Sequence, residues 1–333
     1  MNSNLSARIL LILVVLTATG AITAHASARE SLRVPDLAVV NVSVAALWAK
    51  PGIARPVDAP AVSATPNIRL WFSRMTIPQQ QWLVGRLQTQ VLFGAAVRIL
   101  QRQGAWARVA VENQPTQLNP AGYPGWLPAS QLTGNLSLLT VRKSHPVAIV
   151  TRPSAWLKDP QTNDHRIEVS YATRLSVVGT RRSSYVIATP ASGRLTVDRS
   201  AVSVYSSLGA IPRPSRAQLV AAARMFLGVR YLWGGTSAFG VDCSGLTHTV
   251  YARFGIVIPR DADRQALAGK AVARSVLRPG DLLFFAGRGG TGFIHHVGMY
   301  IGGGQMIEAP DIGLRVRIAP AFTDEYAGGR RYL

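Results

Sequence analysis

The only cysteine of the chain, Cys243, has the sequence surroundings of a nucleophile. It follows Asp242 and precedes Ser244, and both neighbours are typical of a polar turn rather than of a core. Apolar residues then recur at helical spacing until a glycine interrupts them: Leu246, Val250, Phe254 and Gly255. We therefore expect the thiol at or near a helix N-terminus, where amides and the helix dipole favour a thiolate and stabilise an oxyanion. The alternative is a buried structural cysteine, which the polar neighbours disfavour.

A nucleophilic thiol needs a base, and three histidines follow it, His248, His295 and His296. His248 is five residues further along the same helix, about 140° around the axis, so we expect it on the surface. The two adjacent histidines begin a strand, in which neighbouring side chains face opposite ways. His295 shares its face with apolar residues, whereas His296 shares its face with Gly298, which leaves room beside the ring. We therefore predict that His296 is the base.

Glu308 is the candidate for orienting the imidazole. A turn at Gly303-Gly304 separates the strand of His296 from a second short strand over residues 305–309. Glu308 is polar among apolar neighbours there, across the hairpin from His296, and its carboxylate can accept a hydrogen bond from the second ring nitrogen. The alternative is a solvated glutamate at a strand end. Because the single cysteine is used and no histidine-rich spacing occurs, the sequence implies no metal and no cofactor.

Residues 209–333, which contain these groups, form a separate α+β domain in this interpretation. The domain starts with a capping box, in which Ser215 and Gln218 satisfy each other's backbone amides. Apolar residues follow at helical spacing, and Gly228 ends the helix. The thiol, the base and the orienting carboxylate would thus be positioned by one helix and one hairpin of the same domain.

A half-repeat precedes this domain. Val97 and Leu175 begin similar apolar segments, and Trp106 and Tyr185 begin aromatic-led segments at nearly the same offset. Short segments of this kind, separated by turn residues, predict two small all-β barrels. We place an N-terminal arm and the first barrel in residues 27–135 and the second barrel in residues 136–208. The stretch 27–70 carries scattered prolines and is predicted to be irregular.

The N-terminal segment, residues 1–26, has the form of a secretory signal peptide. Arg8 precedes an apolar run over residues 9–16, and Ala24-His25-Ala26 supplies a cleavage site. The apolar run is too short to favour a membrane anchor. We expect a secreted protein that works in the periplasm or the cell wall, where a thiol that serves no purpose is unusual.

The composition indicates a folded chain of several domains with a basic surface. The chain has 333 residues, of which 48% are hydrophobic and 16% charged, and these values exclude a disordered or fibrous protein. The formal net charge of +20 comes mostly from arginine. Because the basic residues are dispersed, the charge favours contact with an anionic wall polymer or membrane headgroups over nucleic acid. The composition sets no oligomeric state.

Four motifs, in this order, resemble those of the NlpC family, the papain-like cysteine peptidases of the bacterial cell wall. The motifs are Tyr231-x-Trp233-Gly234-Gly235, Asp242-Cys243-Ser244-Gly245, Arg278-Pro279-Gly280-Asp281-Leu282-Leu283-Phe284-Phe285 and His296-Val297-Gly298-x-Tyr300-x-Gly302. The resemblance covers nearly all of residues 215–333 and implies a papain-like fold with Cys243 as nucleophile and His296 as base. It places the third catalytic residue, most often a histidine, at Glu308, which keeps a hydrogen-bond acceptor there.

The two barrels resemble bacterial SH3-type domains and indicate a narrower branch, the γ-D-glutamyl-L-diamino acid endopeptidases. In that branch the residues matching Tyr231, Asp242 and Ser244 line a pocket for an N-terminal L-alanine. The tyrosine of a Gly-Tyr-Pro-Gly-Trp segment, here Tyr123, closes the pocket. Relatives carry an acidic residue where this chain has Gln88, so the resemblance implies a weaker selection for a free amine.

The implied function is that of a secreted cysteine endopeptidase that hydrolyses the γ-D-glutamyl–L-diamino acid bond of peptidoglycan stem peptides. Peptides with a free N-terminal L-alanine would be preferred. The expected partners are peptidoglycan peptides or muropeptides, with no nucleic acid. Two rivals are an amidase that cuts another wall bond and a catalytically silent wall-binding protein. A lipid-directed acyltransferase is a third rival, which the paired barrels disfavour.

Overall fold

The computed structural model describes residues 37–190 and 193–333, so the signal peptide predicted over residues 1–26 lies outside the described part. Within the described ranges no helix is long and apolar enough to cross a membrane. The chain forms two all-β units followed by a unit of mixed α and β structure, which confirms the predicted α+β class.

The first barrel is a seven-stranded antiparallel sheet. Its strands are β1 (Leu37–Val40), β2 (Val44–Trp48), β3 (Leu87–Leu92), β4 (Ala96–Gln103), β5 (Trp106–Val111), β6 (Tyr123–Pro128) and β7 (Leu132–Thr133). They lie in the order β3-β2-β6-β5-β4-β1-β7. Alternate side chains such as Val97 and Ile99 of β4 are buried in a small aliphatic core. Gly125 allows β6 to approach β2, because a Cβ there would lie 2.8 Å from the Cβ of Leu47.

The region before β3 corrects the expectation of an irregular arm. Strands β1 and β2 already belong to the barrel, and three short helices follow them: α1 (Ala59–Val62), α2 (Ile68–Ser73) and α3 (Ile77–Gln81). The prolines do not break these helices, because Pro60 and Pro78 occupy first turns, where a missing N–H group has no helical partner to lose. Trp71 of α2 is fully buried in one cluster with Trp48 of β2 and Leu232 of the third unit.

The second barrel repeats the first strand for strand. Helix α4 (Ser137–Ser144) leads into β8 (Val147–Val150), β9 (Ser154–Lys158), β10 (His165–Ser170), β11 (Arg174–Thr180), β12 (Ser184–Ala188), β13 (Arg194–Asp198) and β14 (Val202–Tyr205). The strand order is β10-β9-β13-β12-β11-β8-β14. Val97 and Leu175 lie in the equivalent strands β4 and β11, so the repeat predicted from their spacing is confirmed.

The third unit combines three helices, a two-stranded hairpin and a six-stranded sheet. The helices are α5 (Arg216–Arg224), α6 (Cys243–Ala252) and α7 (Ala262–Leu267), and the hairpin is β15 (Thr236–Ser237) with β16 (Gly240–Val241). The sheet contains β17 (Lys270–Val272), β18 (Leu282–Ala286), β19 (Ile294–Gly302), β20 (Gln305–Glu308), β21 (Arg317–Pro320) and β22 (Tyr326–Arg331), in the order β17-β22-β18-β19-β20-β21. The predicted capping box is present at α5, where Ser215 and Gln218 exchange hydrogen bonds of 2.8 and 3.2 Å.

Irregular segments complete the chain. Five 3₁₀ turns occur among the described residues, at Pro56–Asp58, Ala129–Gln131, Arg199–Ala201, Leu208–Ala210 and Arg274–Val276. A glycine-rich turn, Gly287–Gly290, joins β18 to β19 and holds Arg288 at a φ of +55°.

Helix α6 is the centre of the third unit. Its residues from Cys243 to Tyr251 are all buried, because the sheet covers one side of the helix and other elements cover the rest. Val297 and Met299 of β19 pack in the same cluster as Leu246. The second barrel adds Tyr171 to this cluster. The helix that carries the thiol is thus held rigidly from several directions.

Candidate active site

Cys243 is the first residue of α6, at the helix N-terminus where the sequence predicts it, and is 8% exposed. The Oδ1 atom of Asp242 caps the helix by accepting a hydrogen bond of 2.7 Å from the Gly245 amide. Residue 245 must be glycine, because a Cβ there would lie 1.9 Å from the carbonyl oxygen of Gly235. The cap uses the Gly245 amide, so the amides of Cys243 and Ser244 in front of it are left for an oxyanion.

Asp242 is also the partner of a buried arginine. Arg260 donates to both of its oxygens, from Nη1 to Oδ1 at 3.0 Å and from Nη2 to Oδ2 at 2.6 Å. The same guanidinium donates to Ser244 Oγ at 2.9 Å and, through Nε, to Oγ1 of Thr89 in the first barrel at 3.0 Å. Arg260 therefore compensates the charge of Asp242 inside the protein. Sequence reasoning missed Arg260, which lies well beyond Asp242 along the chain, after the cysteine helix has ended.

His296 lies on β19 with its Nε2 atom 2.7 Å from Oε2 of Glu308. Because the carboxylate holds Nε2, the other ring nitrogen, Nδ1, is the atom left for Cys243. Burial opposes a charge on the ring, but hydrogen bonds to Cys243 and Glu308 and the negative charges of both outweigh it. Together they raise the pKa of His296 to about 10. The site therefore favours an imidazolium beside the sulfur at neutral pH.

A β-bulge distinguishes the two neighbouring histidines. His296 and Ile294 pair with successive residues of β18, so His295 is the extra residue between them. Its side chain is 47% exposed and its Nε2 atom lies 3.4 Å from Glu325. Strict alternation predicted a core position for His295, and that expectation is wrong because the bulge turns the side chain out.

The space beside His296 is occupied. A Cβ on Gly298 would lie 2.5 Å from Sδ of Met306, so the glycine makes room for Met306 of β20. The expectation that Gly298 leaves room beside the ring is therefore corrected. The glycine serves the packing of two adjacent strands.

His248 is buried, contrary to the expectation of a surface position. It is 4% exposed, and its Nδ1 atom lies 2.9 Å from the carbonyl oxygen of Ile258. Burial, and then the charge of Arg260, lower the pKa of His248 to about 4. A position on the far side of α6 from Cys243 is not exposed, because neighbouring elements enclose the helix on all sides.

Glu308 has a second partner that sequence reasoning missed. The strand register places Arg317 of β21 directly opposite Glu308, and Arg317 Nε donates to Oε1 at 2.9 Å. Burial favours the neutral acid, but the hydrogen bonds from His296 and Arg317 hold the pKa of Glu308 below its usual range. The three side chains form a row across β19, β20 and β21, in which each oxygen of Glu308 serves one neighbour.

A cleft of about 410 Å³ opens beside Cys243, between the first barrel and the third unit. It brings together all five residues predicted to bind substrate, Gln88, Tyr123, Tyr231, Asp242 and Ser244. Burial, and then the charges of Cys243 and Asp242, raise the pKa of Tyr231, so its hydroxyl stays protonated and can donate. Phe293 marks the open side of the cleft and is 75% exposed.

Tyr123 and Asp261 close one end of the cleft. The Tyr123 hydroxyl donates to Oδ1 of Asp261 at 3.2 Å, and the tyrosine is 6% exposed. Burial is the largest influence on Asp261 and raises its pKa, although the charge of Arg260 opposes the shift. Gln88 Nε2 donates to the carbonyl oxygen of Gly85 at 3.0 Å. Asp261 is thus a cleft carboxylate that Arg260 does not bind directly, and sequence reasoning overlooked it.

The arrangement has the parts of an acyl-transfer site. It contains a thiol at a helix N-terminus, an imidazole whose second nitrogen is held by a carboxylate, and backbone amides near the sulfur. In the described part of the chain, no group of three or more histidine, cysteine, aspartate or glutamate side chains could hold a metal ion.

Comparison with known proteins finds a matching family for each of the three units. Residues 228–328 match the NlpC/P60 family, residues 150–205 match the YKFC SH3b2 domain, and residues 84–132 match the bacterial dipeptidyl-peptidase Sh3 domain. The gamma-D-glutamyl-L-lysine dipeptidyl-peptidase of Bacillus cereus is 40% identical over 318 residues, which cover 93% of this chain and 94% of that protein. The Bacillus subtilis protein of the same name is 37% identical over 278 residues, covering 83% and 90%.

A solved structure supports the architecture as a whole. The crystal structure of an NlpC/P60 family protein from Bacillus cereus aligns with a TM-score of 0.86 at 40% identity, over 90% of this chain and 100% of that chain. The alignment includes both barrels and the third unit, so the similarity extends beyond the NlpC/P60 match alone.

Proposed function

This chain belongs to the NlpC/P60 family of cysteine peptidases, and from that premise we propose that it hydrolyses the γ-D-glutamyl–L-diamino acid bond of peptidoglycan stem peptides. One observation carries the proposal. Cys243 lines a cleft between the first barrel and the third unit and has the His296–Glu308 pair beside it, within a fold shared along nearly its full length with a gamma-D-glutamyl-L-lysine dipeptidyl-peptidase.

In the proposed acylation step, the Cys243 sulfur attacks the γ-carbonyl carbon of D-glutamate. The carbonyl oxygen takes the negative charge and accepts hydrogen bonds from the amides of Cys243 and Ser244. When the tetrahedral species collapses, the bond from carbon to the leaving nitrogen breaks, and His296 gives its Nδ1 proton to the departing amine of the diamino acid. The products are a thioester on Cys243 and a peptide with a new free amine.

The second step reverses the protonation of His296. The neutral imidazole takes a proton from water, the hydroxide attacks the thioester carbon, and the bond from carbon to sulfur breaks. The γ-carboxyl group of D-glutamate is released as the acid and loses its proton to solvent, and the thiolate and imidazolium are restored. Throughout both steps Glu308 accepts from Nε2, which holds the ring in one orientation and stabilises its charged form.

We further propose that the closed end of the cleft receives a free N-terminal L-alanine. A buried ammonium is costly without a countercharge, and Asp242 is already neutralised by Arg260. Asp261, which accepts from the Tyr123 hydroxyl, is the carboxylate that suits this role. Gln88 supplies no charge, so the selection for a free amine rests on one acid and should be modest.

Export is a separate proposal that rests on the form of residues 1–26 alone. A protein exported to the periplasm or the cell wall would meet peptidoglycan peptides there. The net charge of +20 would favour its retention beside anionic wall polymer.

The test is a digest of defined peptides followed by mass spectrometry. We expect L-Ala-γ-D-Glu-L-Lys to yield L-Ala-D-Glu and lysine, and the N-acetylated peptide to be cut more slowly. Cys243→Ala should yield no product, whereas retention of activity in that variant would exclude the cysteine mechanism. Cleavage between L-alanine and D-glutamate, or of the amide to muramic acid, would instead identify an amidase that cuts another wall bond.

A further inference from the structure

A second cavity lies where the two barrels and the third unit meet. It has a volume of about 170 Å³ and shares no lining residue with the cleft beside Cys243. Each part of the molecule contributes to it: Gln114 comes from the first barrel, Arg142 from α4, Arg174 from β11, and His248 and Thr249 from α6. None of these side chains has a part in the proposed reaction.

Two arginines, Arg142 and Arg174, supply this cavity with positive charge and N–H donors. Arg142 Nη2 donates to the carbonyl oxygen of Gly94 in the first barrel at 2.7 Å, and Arg174 Nη2 donates to that of Ala252 at the end of α6 at 3.0 Å. Over residues 37–190 and 193–333, neither guanidinium forms an ion pair, and the buried Nε atom of Arg142 has no hydrogen-bond partner. Most of their N–H groups are therefore available to a ligand.

The neighbouring titratable groups do not balance these charges. Glu112 is at the cavity wall, but its carboxylate is 46% exposed and pairs with Arg98 at 2.9 Å. His248 is held neutral by burial. Burial, and then the charge of Arg174, lower the pKa of Arg142 to about 10, which is the effect expected of two like charges without a countercharge. Both arginines are half-buried, so a countercharge between them would stabilise the folded chain.

We propose that this cavity binds a small oxyanion of the phosphate class between Arg142 and Arg174. The planar guanidinium group matches such an anion with paired N–H donors. Each arginine already ties its own element to another unit of the molecule, through Gly94 and Ala252. A bound anion would neutralise both charges and so strengthen the junction of the three units. This site is independent of the proposed peptidase reaction.

The test is thermal unfolding of the full chain in increasing inorganic phosphate, with sodium chloride keeping the ionic strength constant. We expect a saturable rise in Tm of about 2–4 °C, since a ligand that binds only the folded state stabilises it. Isothermal titration calorimetry should give one phosphate per chain. Equal shifts with phosphate, acetate and chloride would reduce the effect to general screening and overturn the proposal.

Arginine-to-glutamine variants test where phosphate binds. Arg142→Gln and Arg174→Gln should each abolish the saturable rise and the calorimetric signal. In phosphate-free buffer Arg142→Gln should match or exceed the Tm of the unmodified chain, because it removes an uncompensated charge and keeps an amide donor. The matched control is Arg102→Gln on β4, an exposed position with the same change in net charge, which should bind phosphate normally. Phosphate binding unchanged in both cavity variants would place the site elsewhere and overturn the inference.

Discussion

The two barrels share one strand order but meet the catalytic unit in different ways. The equivalent strands β3 and β10 each offer a side-chain oxygen to the backbone just before the cysteine helix. Gln90 Oε1 accepts from the Thr236 amide at 3.0 Å, and Ser170 Oγ accepts from the Ala238 amide at 2.9 Å. Only the first barrel also reaches the cleft, because no described residue of the second barrel lines it.

The two barrels differ here in the length of one loop rather than in the order of their strands. Residues 112–122 join β5 to β6 in the first barrel, whereas residues 189–193 join the equivalent strands of the second. The longer connection returns at Gly122, where φ is +119° and a Cβ would lie 2.2 Å from the carbonyl oxygen of Val111. This close approach places Tyr123 at the start of β6, facing Asp261. Two copies of one fold thus acquire different roles through their loops.

The largest effect is expected in the third unit, which carries the proposed base. We expect His296→Ala to lower kcat/KM by about 10²–10⁴-fold, because the variant has no group to protonate the leaving amine. The comparison variant is His295→Ala, an exposed residue on the same strand that lines the cleft but does not contact Glu308, and it should lower kcat/KM by at most about tenfold. A large loss in the comparison variant together with an active His296→Ala would show that the other histidine is the base.

A smaller effect, on substrate preference, should distinguish the role of the first barrel from that of the second. Tyr123→Gly should reduce the modest preference for free over N-acetylated peptide by about three- to tenfold, because it removes the aromatic ring from this part of the cleft and its hydrogen bond to Asp261. Steady-state rates on the two peptides measure the preference. The control is Arg194→Gly at the start of the equivalent strand β13, which should leave the preference unchanged. An unchanged preference in Tyr123→Gly would mean that the first barrel does not select the substrate.

Local patterns predicted the positions of the proposed reacting groups. Helical spacing after Cys243 predicted the helix start, and the position of Glu308 across a hairpin from His296 predicted the hydrogen bond between them. Arg260 and Arg317 were missed because their contacts depend on how the chain folds back, which no local period records. Arg317 faces Glu308 only through the register of β20 with β21.

Part of the fold was also predicted from local patterns. The matched spacing of the segments that begin at Val97 and Leu175 predicted two equivalent barrels, because a repeated sequence pattern follows repeated strands. The strands β1 and β2 and the helices after them were not predicted, because the prolines of this region were treated as helix and strand breakers. Pro60 and Pro78 act instead at first helical turns, a distinction that depends on their position within a helix.

A variant confined to the third unit shows the change in activity expected when neither barrel is altered. Arg317→Gln should lower kcat/KM by at most about fivefold at neutral pH, because the Arg317 side chain is 54% exposed and water screens its ion pair. Arg317 helps to depress the pKa of Glu308, so its loss should let that carboxylate protonate at higher pH. The acid limb of the pH profile of kcat/KM should therefore move upward. A uniform loss at every pH would indicate a purely structural role, and Arg317→Lys should restore the profile.

The smallest effects are expected from Gln90 and Ser170, the two side-chain acceptors on the equivalent strands. Variants of these residues test whether both barrels only support the catalytic unit. Ser170→Ala leaves the Ala238 amide without its partner and should lower the Tm by about 2–4 °C, with kcat/KM unchanged. Gln90→Ala removes the matching acceptor, but the barrel stays docked because the Gln90 carbonyl oxygen still accepts from Thr236 Oγ1 at 3.1 Å. Its stability loss should therefore be similar.

The two variants should nevertheless differ in activity. Gln90 follows Thr89, whose hydroxyl accepts from Arg260, the residue that positions Asp242 in front of Cys243. A shift of β3 is therefore transmitted to the cleft, and Gln90→Ala should raise KM by about two- to fivefold while kcat changes little. The Ser170 hydroxyl accepts instead from Ala238, in the loop before the helix, and neither residue lines the cleft. Equal KM values in the two variants would show that the first barrel, like the second, supports the catalytic unit without tuning its cleft.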